Sequence, residues 1–144
     1  MFDSILVVCV GNICRSPTGE RLLKRVLPSK RIASAGLGAL VGKPADLNAV
    51  EVANKYDLSL DEHKAQQLTS DMCREYDLIL VMEKGHIDAV SRIAPEVRGK
   101  TMLFGHWLEQ REIADPYRQS REAFEFVYQL LDESAQKWAK ALSR

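Results

Sequence analysis

Cysteine is scarce in this chain of 144 residues, and the three present, Cys9, Cys14 and Cys73, are an odd number. That does not suit a secreted disulfide framework and leaves thiols available for chemistry. An excess of one charge is also missing, because 20 Lys and Arg stand against 20 Asp and Glu. A long polyanion such as nucleic acid is therefore not an expected partner, and any anion site has to be local. No apolar run is long enough to span a bilayer. The one near the start, in MFDSILVVCV, follows an acidic rather than a basic flank and reads as a strand, not a signal peptide. The expectation is a cytoplasmic protein with no stable membrane insertion. Repeats, linkers and low-complexity tracts are absent too, and 46% hydrophobic content suits one domain over residues 1–144 with a real core.

What is present is an alternation of two periodicities. Apolar runs at Ile5 to Val10 and Leu78 to Met82 are continuous, as expected of strands covered on both faces, and shorter strand-like pieces sit at Arg31 to Ser34 and Thr101 to Phe104. Helical spacing falls at Thr18 to Leu27, Asp46 to Tyr56, Gly85 to Ile93 and Ser120 to Leu142, the last carrying Phe124, Val127, Leu130, Leu131, Ala135 and Trp138 on one stripe. Strands alternating with helices predict an α/β fold with a four-stranded parallel sheet and right-handed crossovers. Gly36 to Pro44 and Arg111 to Arg118 read as loops.

In such a sheet, ligands bind beyond the carboxyl ends of the strands. Cys9 stands at the end of the first strand, followed by Val10-Gly11-Asn12-Ile13-Cys14-Arg15-Ser16-Pro17. Gly11 and Asn12 tolerate positive φ and are expected to curl the backbone so that successive N–H groups point inward. Ser16 suits a helix N-cap and Pro17 the first helical position. The loop is then an anion cradle ending on a helix N-terminus. A thiol there meets the helix dipole, inward amides and Arg15, each favouring thiolate, and becomes a nucleophile. The planar fork of Arg15 can grip two oxygens of a phosphoryl group.

Phosphoryl transfer to an oxygen leaving group also needs a proton donor. Asp115, in Ile113-Ala114-Asp115-Pro116-Tyr117, follows the fourth strand and so belongs to the same rim as Cys9. Pro116 stiffens the loop around it. On residue type alone Asp-Pro is equally a turn or a helix start, Tyr117 a loop aromatic, His63 a solvated residue, and Cys9 a small apolar residue closing a buried strand.

CVGNICRSP resembles the phosphate loop of the low-molecular-weight protein-tyrosine phosphatases, and Asp115-Pro116-Tyr117 resembles that family's general-acid loop. The likeness spans the chain through Ser34-Ala35-Gly36, His63-Lys64-Ala65 and the stretch from Tyr76 to Met82. It implies a three-layer fold, Cys9 as nucleophile, Arg15 as phosphate clamp, and Asp115 as acid and then base. Val10, Gly11, Asn12, Ile13, Cys14 and Ser16 form the rest of the phosphate loop. Asn12, Ser16, Ser34 and His63 are implied to form a supporting hydrogen-bond network, and Leu40 and Tyr117 to wall the ring slot. No metal and no cofactor are implied. Segments from Gly36 to Lys43 and from Gly99 to Trp107 are similar to bacterial phosphatases of capsule and exopolysaccharide production. These imply as partner a phosphotyrosine protein, namely a membrane tyrosine kinase of polysaccharide export. Leu40 stands where animal members place an aromatic, Arg118 where they have a second tyrosine, and Gln66 where an arginine is usual.

Three other readings compete. A zinc site of Cys9, Cys14 and Cys73 lacks the usual close ligand pairs and a fourth ligand. Arsenate reductases share the fold and loop but relay oxidation through further thiols, and no cysteine pair follows the third strand. A phosphate-binding module without catalysis would need neither Cys9 nor Asp115.

Overall fold

A computed structural model describes residues 2–143. Its strands are β1 (Ser4–Cys9), β2 (Arg31–Gly36), β3 (Leu78–Val81) and β4 (Thr101–Leu103). They form one sheet in the order β2-β1-β3-β4 with every pairing parallel. The helices are α1 (Arg15–Val26), α2 (Leu47–Lys55), α3 (Ser70–Glu75), α4 (Lys84–Ile93) and α5 (Arg121–Leu142), with a 3-10 helix at Pro95–Lys100. The expected α/β architecture with a four-stranded parallel sheet is therefore the observed one.

Both sheet faces are covered, which explains the continuous apolar runs. Ile5, Val7 and Cys9 alternate with Leu6 and Val8 along β1, and the two sets enter different core clusters. The first cluster joins α1, α2 and α5 to one face. The second places Cys73, Val90, Ala94 and Val97 on the other. All six residues of the predicted stripe on α5 are buried, and Ser120 caps that helix by accepting the Ala123 N–H at 3.2 Å.

β2 runs two residues further than expected, because Ala35 and Gly36, weak strand formers, pair in register with Val8 and Cys9. Gly36 is required there: a Cβ would lie 2.5 Å from the carbonyl oxygen of Val10, so only glycine admits the strand beside the start of the loop. α3 and the 3-10 helix have six residues each, too few to show a period. Thr69 nevertheless caps α3 by accepting the Met72 N–H at 3.2 Å.

Candidate active site

The chain leaving β1 turns at Asn12, whose φ is 59°. Gly11 was expected to share the curl, but its φ is not positive, and Asn12 alone carries the left-handed turn. The cost is met by four hydrogen bonds that hold Asn12. The Gln66 N–H donates to Asn12 Oδ1 at 2.9 Å, which orients the side-chain amide. Nδ2 then donates to Ser16 Oγ at 2.7 Å and to Ser34 Oγ at 3.0 Å. His63 Nε2 lies 2.6 Å from the Asn12 carbonyl oxygen and donates to it.

The position of Ser16 corrects a second expectation. α1 begins two residues earlier than predicted, with Cys14 at the N-cap position and no side-chain cap bond. The Ser16 hydroxyl is engaged elsewhere: it accepts from Asn12 and lies 2.9 Å from Cys9 Sγ. Glu20, missed in the sequence, orders this chain. Ser34 Oγ–H donates to Glu20 Oε1 at 2.6 Å, and a carboxylate can only accept. Directions then propagate from Glu20 through Ser34 and Asn12 to Ser16, whose one hydrogen is left for the sulfur. Cys9, Asn12, Ser16 and Ser34 are each at most 2% exposed.

Gly11, Asn12, Ile13 and Cys14 direct no backbone N–H to a protein acceptor among the described residues outside the regular elements. Amides so placed beside a helix N-terminus suit an oxyanion. Arg15 lies under them, 1% exposed. Its Nη1 donates to Glu83 Oε2 at 2.6 Å and to the Ile113 carbonyl at 2.8 Å. Its Nη2 is 3.7 Å from Asp115 Oδ2, and Nε has no acceptor among the described residues. One edge of the fork is thus held by protein while the other donors remain for a ligand. Glu83 follows Met82 beyond β3, and nothing in its local sequence singles it out.

Asp115 is held by its own loop, where Oδ1 accepts the Tyr117 N–H at 3.0 Å. Its side chain is 43% exposed, at the mouth of a cavity of about 180 Å³. Cys9, Gly11, Ile13, Cys14 and Arg15 line that cavity from the phosphate loop, and the more exposed Val10 joins Gly38, Leu40, Asp115 and Tyr117 in completing its lining. Every predicted site residue is brought to it or, for Asn12, Ser16, Ser34 and His63, into the network that holds its floor. Gln66 now has a local role, since its side-chain amide donates to the Ser34 carbonyl at 2.8 Å.

The other thiols are different in kind. Burial pushes the Cys14 thiol up, followed by the charges of Asp46, Asp115 and Cys9, with Arg15 opposing. Cys73 is raised chiefly by burial as well, and it belongs to the core on the far face of the sheet from Cys9 and Cys14. The three sulfurs cannot share a zinc ion, and a relay through Cys73 is blocked by the sheet.

Comparison with known proteins gives one consistent result. The family described as low molecular weight phosphotyrosine protein phosphatase matches residues 4–144. The probable low molecular weight protein-tyrosine-phosphatase AmsI of Erwinia amylovora is 69% identical over 144 residues, covering 100% of both chains. The low molecular weight protein-tyrosine-phosphatase Wzb of Salmonella typhimurium is 66% identical over 143 residues, covering 99% of this chain and 96% of its own. The crystal structure of AmsI superposes with a TM-score of 0.98 over 100% of this chain and 95% of its own. That of Vibrio vulnificus Wzb in complex with benzylphosphonate, 62% identical, gives 0.97 over 99% and 100%. With the phosphate-loop sequence, the cavity above it and this likeness over its whole length in agreement, the chain belongs to the low molecular weight phosphotyrosine protein phosphatase family and is a protein-tyrosine-phosphatase.

Proposed function

We propose that the chain hydrolyses phosphotyrosine in two steps through a cysteinyl-phosphate. Cys9 Sγ attacks phosphorus in line, forming the S–P bond as the bond to the tyrosyl oxygen breaks, and Asp115 gives its proton to that oxygen. Water then attacks the phosphocysteine, Asp115 takes its proton, and the S–P bond breaks to return the thiolate and release phosphate. The loop amides and the free edge of Arg15 hold the three non-bridging oxygens, so positioning and charge stabilisation supply most of the rate. Leu40 and Tyr117 wall the ring. Depth favours phosphotyrosine over phosphoserine, because a short side chain leaves its phosphate above the floor.

The observation that carries this reading is the convergence of Cys9, Arg15 and Asp115 on one cavity. A benzylphosphonate-bound relative of the same fold, with an aromatic ring and a tetrahedral phosphorus group in one ligand, supports it. In the same reading the physiological substrate is a membrane tyrosine kinase of capsule or exopolysaccharide export. Support for that comes from the sequence segments described above and the high identity to AmsI and Wzb.

Acid quenching during turnover tests the mechanism. A phosphorylated peptide containing Cys9 is expected from the native protein, and none from Cys9→Ser, which should retain its fold and its affinity for inorganic phosphate but lose turnover of p-nitrophenyl phosphate. Substantial activity in Cys9→Ser overturns the mechanism. A phosphotyrosine-bearing kinase domain from the same organism tests the physiology: slower release of its phosphate than from an unrelated phosphoprotein counts against that partner.

A further inference from the structure

The surface around the cavity mouth is unusually apolar for a site that binds a dianion. Of eight large apolar side chains exposed among the described residues, five lie on the segments that border the cavity: Val10 at 42%, Leu40 at 44%, Val41 at 68%, Leu47 at 69% and Tyr117 at 38%. Val10, Leu40 and Tyr117 line the cavity itself. Val41 and Leu47 do not, yet the backbone ties both to its edge. Leu40 N–H donates to the Gly11 carbonyl at 3.1 Å, and the turn carrying Val41 closes with Lys43 N–H on the Leu40 carbonyl at 3.0 Å. Asp46 N–H donates to the Ile13 carbonyl at 2.8 Å, which sets Leu47, at the start of α2, beside the phosphate loop. Neither side chain belongs to the core clusters, so packing within the chain does not explain them.

Charge on the same segments is balanced. Lys43 and Arg118 are matched by Asp46 and Asp115, so the rim offers no single-sign field to attract an acidic or a basic flanking sequence. Exposed apolar surface continuous with a ligand cavity marks a recognition surface.

We infer that Val41 and Leu47 form a docking rim for apolar residues flanking the phosphotyrosine of the protein substrate. The phosphate and ring enter the cavity while a neighbouring aliphatic or aromatic side chain is buried on the rim. Affinity for the protein thus exceeds affinity for an isolated phosphotyrosine. The inference rests on Cys9, Arg15 and Asp115 being the reaction centre beneath the rim.

Three phosphotyrosine peptides of equal length test it, with Leu and Val, with Glu, or with Ser on both sides of the phosphotyrosine. The apolar peptide is expected to exceed the other two in kcat/KM by about fivefold or more. Leu47→Ser and Val41→Ser should each shrink that advantage while leaving p-nitrophenyl phosphate turnover unchanged. Leu47→Lys, which keeps a helix-forming residue at the position, should raise the rank of the Glu peptide. Equal kcat/KM across the peptides, or an advantage untouched by both serine variants, overturns the rim. A dimer seen by sedimentation at assay concentration and broken by Leu47→Ser also overturns it, assigning the surface to a second copy of the chain. Failure of the reaction centre would look different, because p-nitrophenyl phosphate turnover would then survive Cys9→Ser.

Discussion

Ser16 Oγ lies 2.9 Å from Cys9 Sγ, and the hydrogen bonds behind it leave its hydrogen for the sulfur. The Cys9 sulfur therefore meets a fixed donor inside a buried site, where water would otherwise have to reorganise around it. The order of that chain begins at Glu20, eleven residues beyond Cys9, and passes through β2 at Ser34 before returning.

Ser16→Ala should lower kcat for p-nitrophenyl phosphate by about 10- to 100-fold, the equivalent of one hydrogen bond to a charged group at about 1.5–3 kcal/mol. Alkylation of Cys9 by iodoacetamide at fixed neutral pH should slow in parallel. Unchanged alkylation with a lower kcat would show that the hydroxyl serves the loop and not the sulfur.

Asp115→Asn should cost about 10²- to 10⁴-fold with phosphotyrosine. The loss should shrink with activated phenols, which depart without a proton, although phosphoenzyme breakdown still slows. A series of aryl phosphates of graded leaving-group pKa reads this directly. An unchanged dependence in the variant would make Asp115 a holder of its loop rather than the acid.

Cys14 and Cys73 should resist iodoacetamide at neutral pH while Cys9 reacts. Burial raises both thiols, and the thiolate is the reactive form. Peptide mass spectrometry after brief labelling counts the modified sites, and equal labelling of Cys14 and Cys9 would contradict the electrostatics of the loop.

Stability should fall on acidification partly through Asp77. Its Oδ2 accepts the Asp3 N–H at 2.8 Å and the Ser4 N–H at 3.2 Å, and these bonds, that from Asp3 first, hold its carboxyl below the ordinary aspartate range. A depressed folded value contributes stability that is present above the unfolded value and lost as pH falls through the folded one. Urea midpoints of Asp77→Asn should therefore lose less than those of the native chain between about pH 5 and pH 2. Parallel curves would remove Asp77 from the acid response.

Much of the site was legible in sequence because it is local. A strand ending in Cys9, a left-handed residue shortly after, and Arg15 on a helix start all lie within seven residues, and their chemistry follows from residue type and spacing. The sheet was legible for a similar reason: strands buried on both faces cannot alternate, and α5 had length enough to show its stripe. Asp115 was marked only by the proline behind it and by family likeness.

What sequence could not decide was the direction and ownership of the hydrogen bonds. Ser16 next to Pro17 looks like a helix cap, and only the approach of Asn12 to its hydroxyl turns it toward Cys9. Glu20 and Glu83 look like surface acids, yet one orders the network through Ser34 and the other holds Arg15 across 68 residues of chain. Gly11 and Asn12 both permit positive φ, and the bonds from Gln66 and His63 select Asn12. Backbone curls and nucleophiles are set by neighbours in the chain, whereas a buried polar group takes whichever partner the fold delivers within about 3 Å, and those partners here come from segments that only the packed sheet and helices bring together.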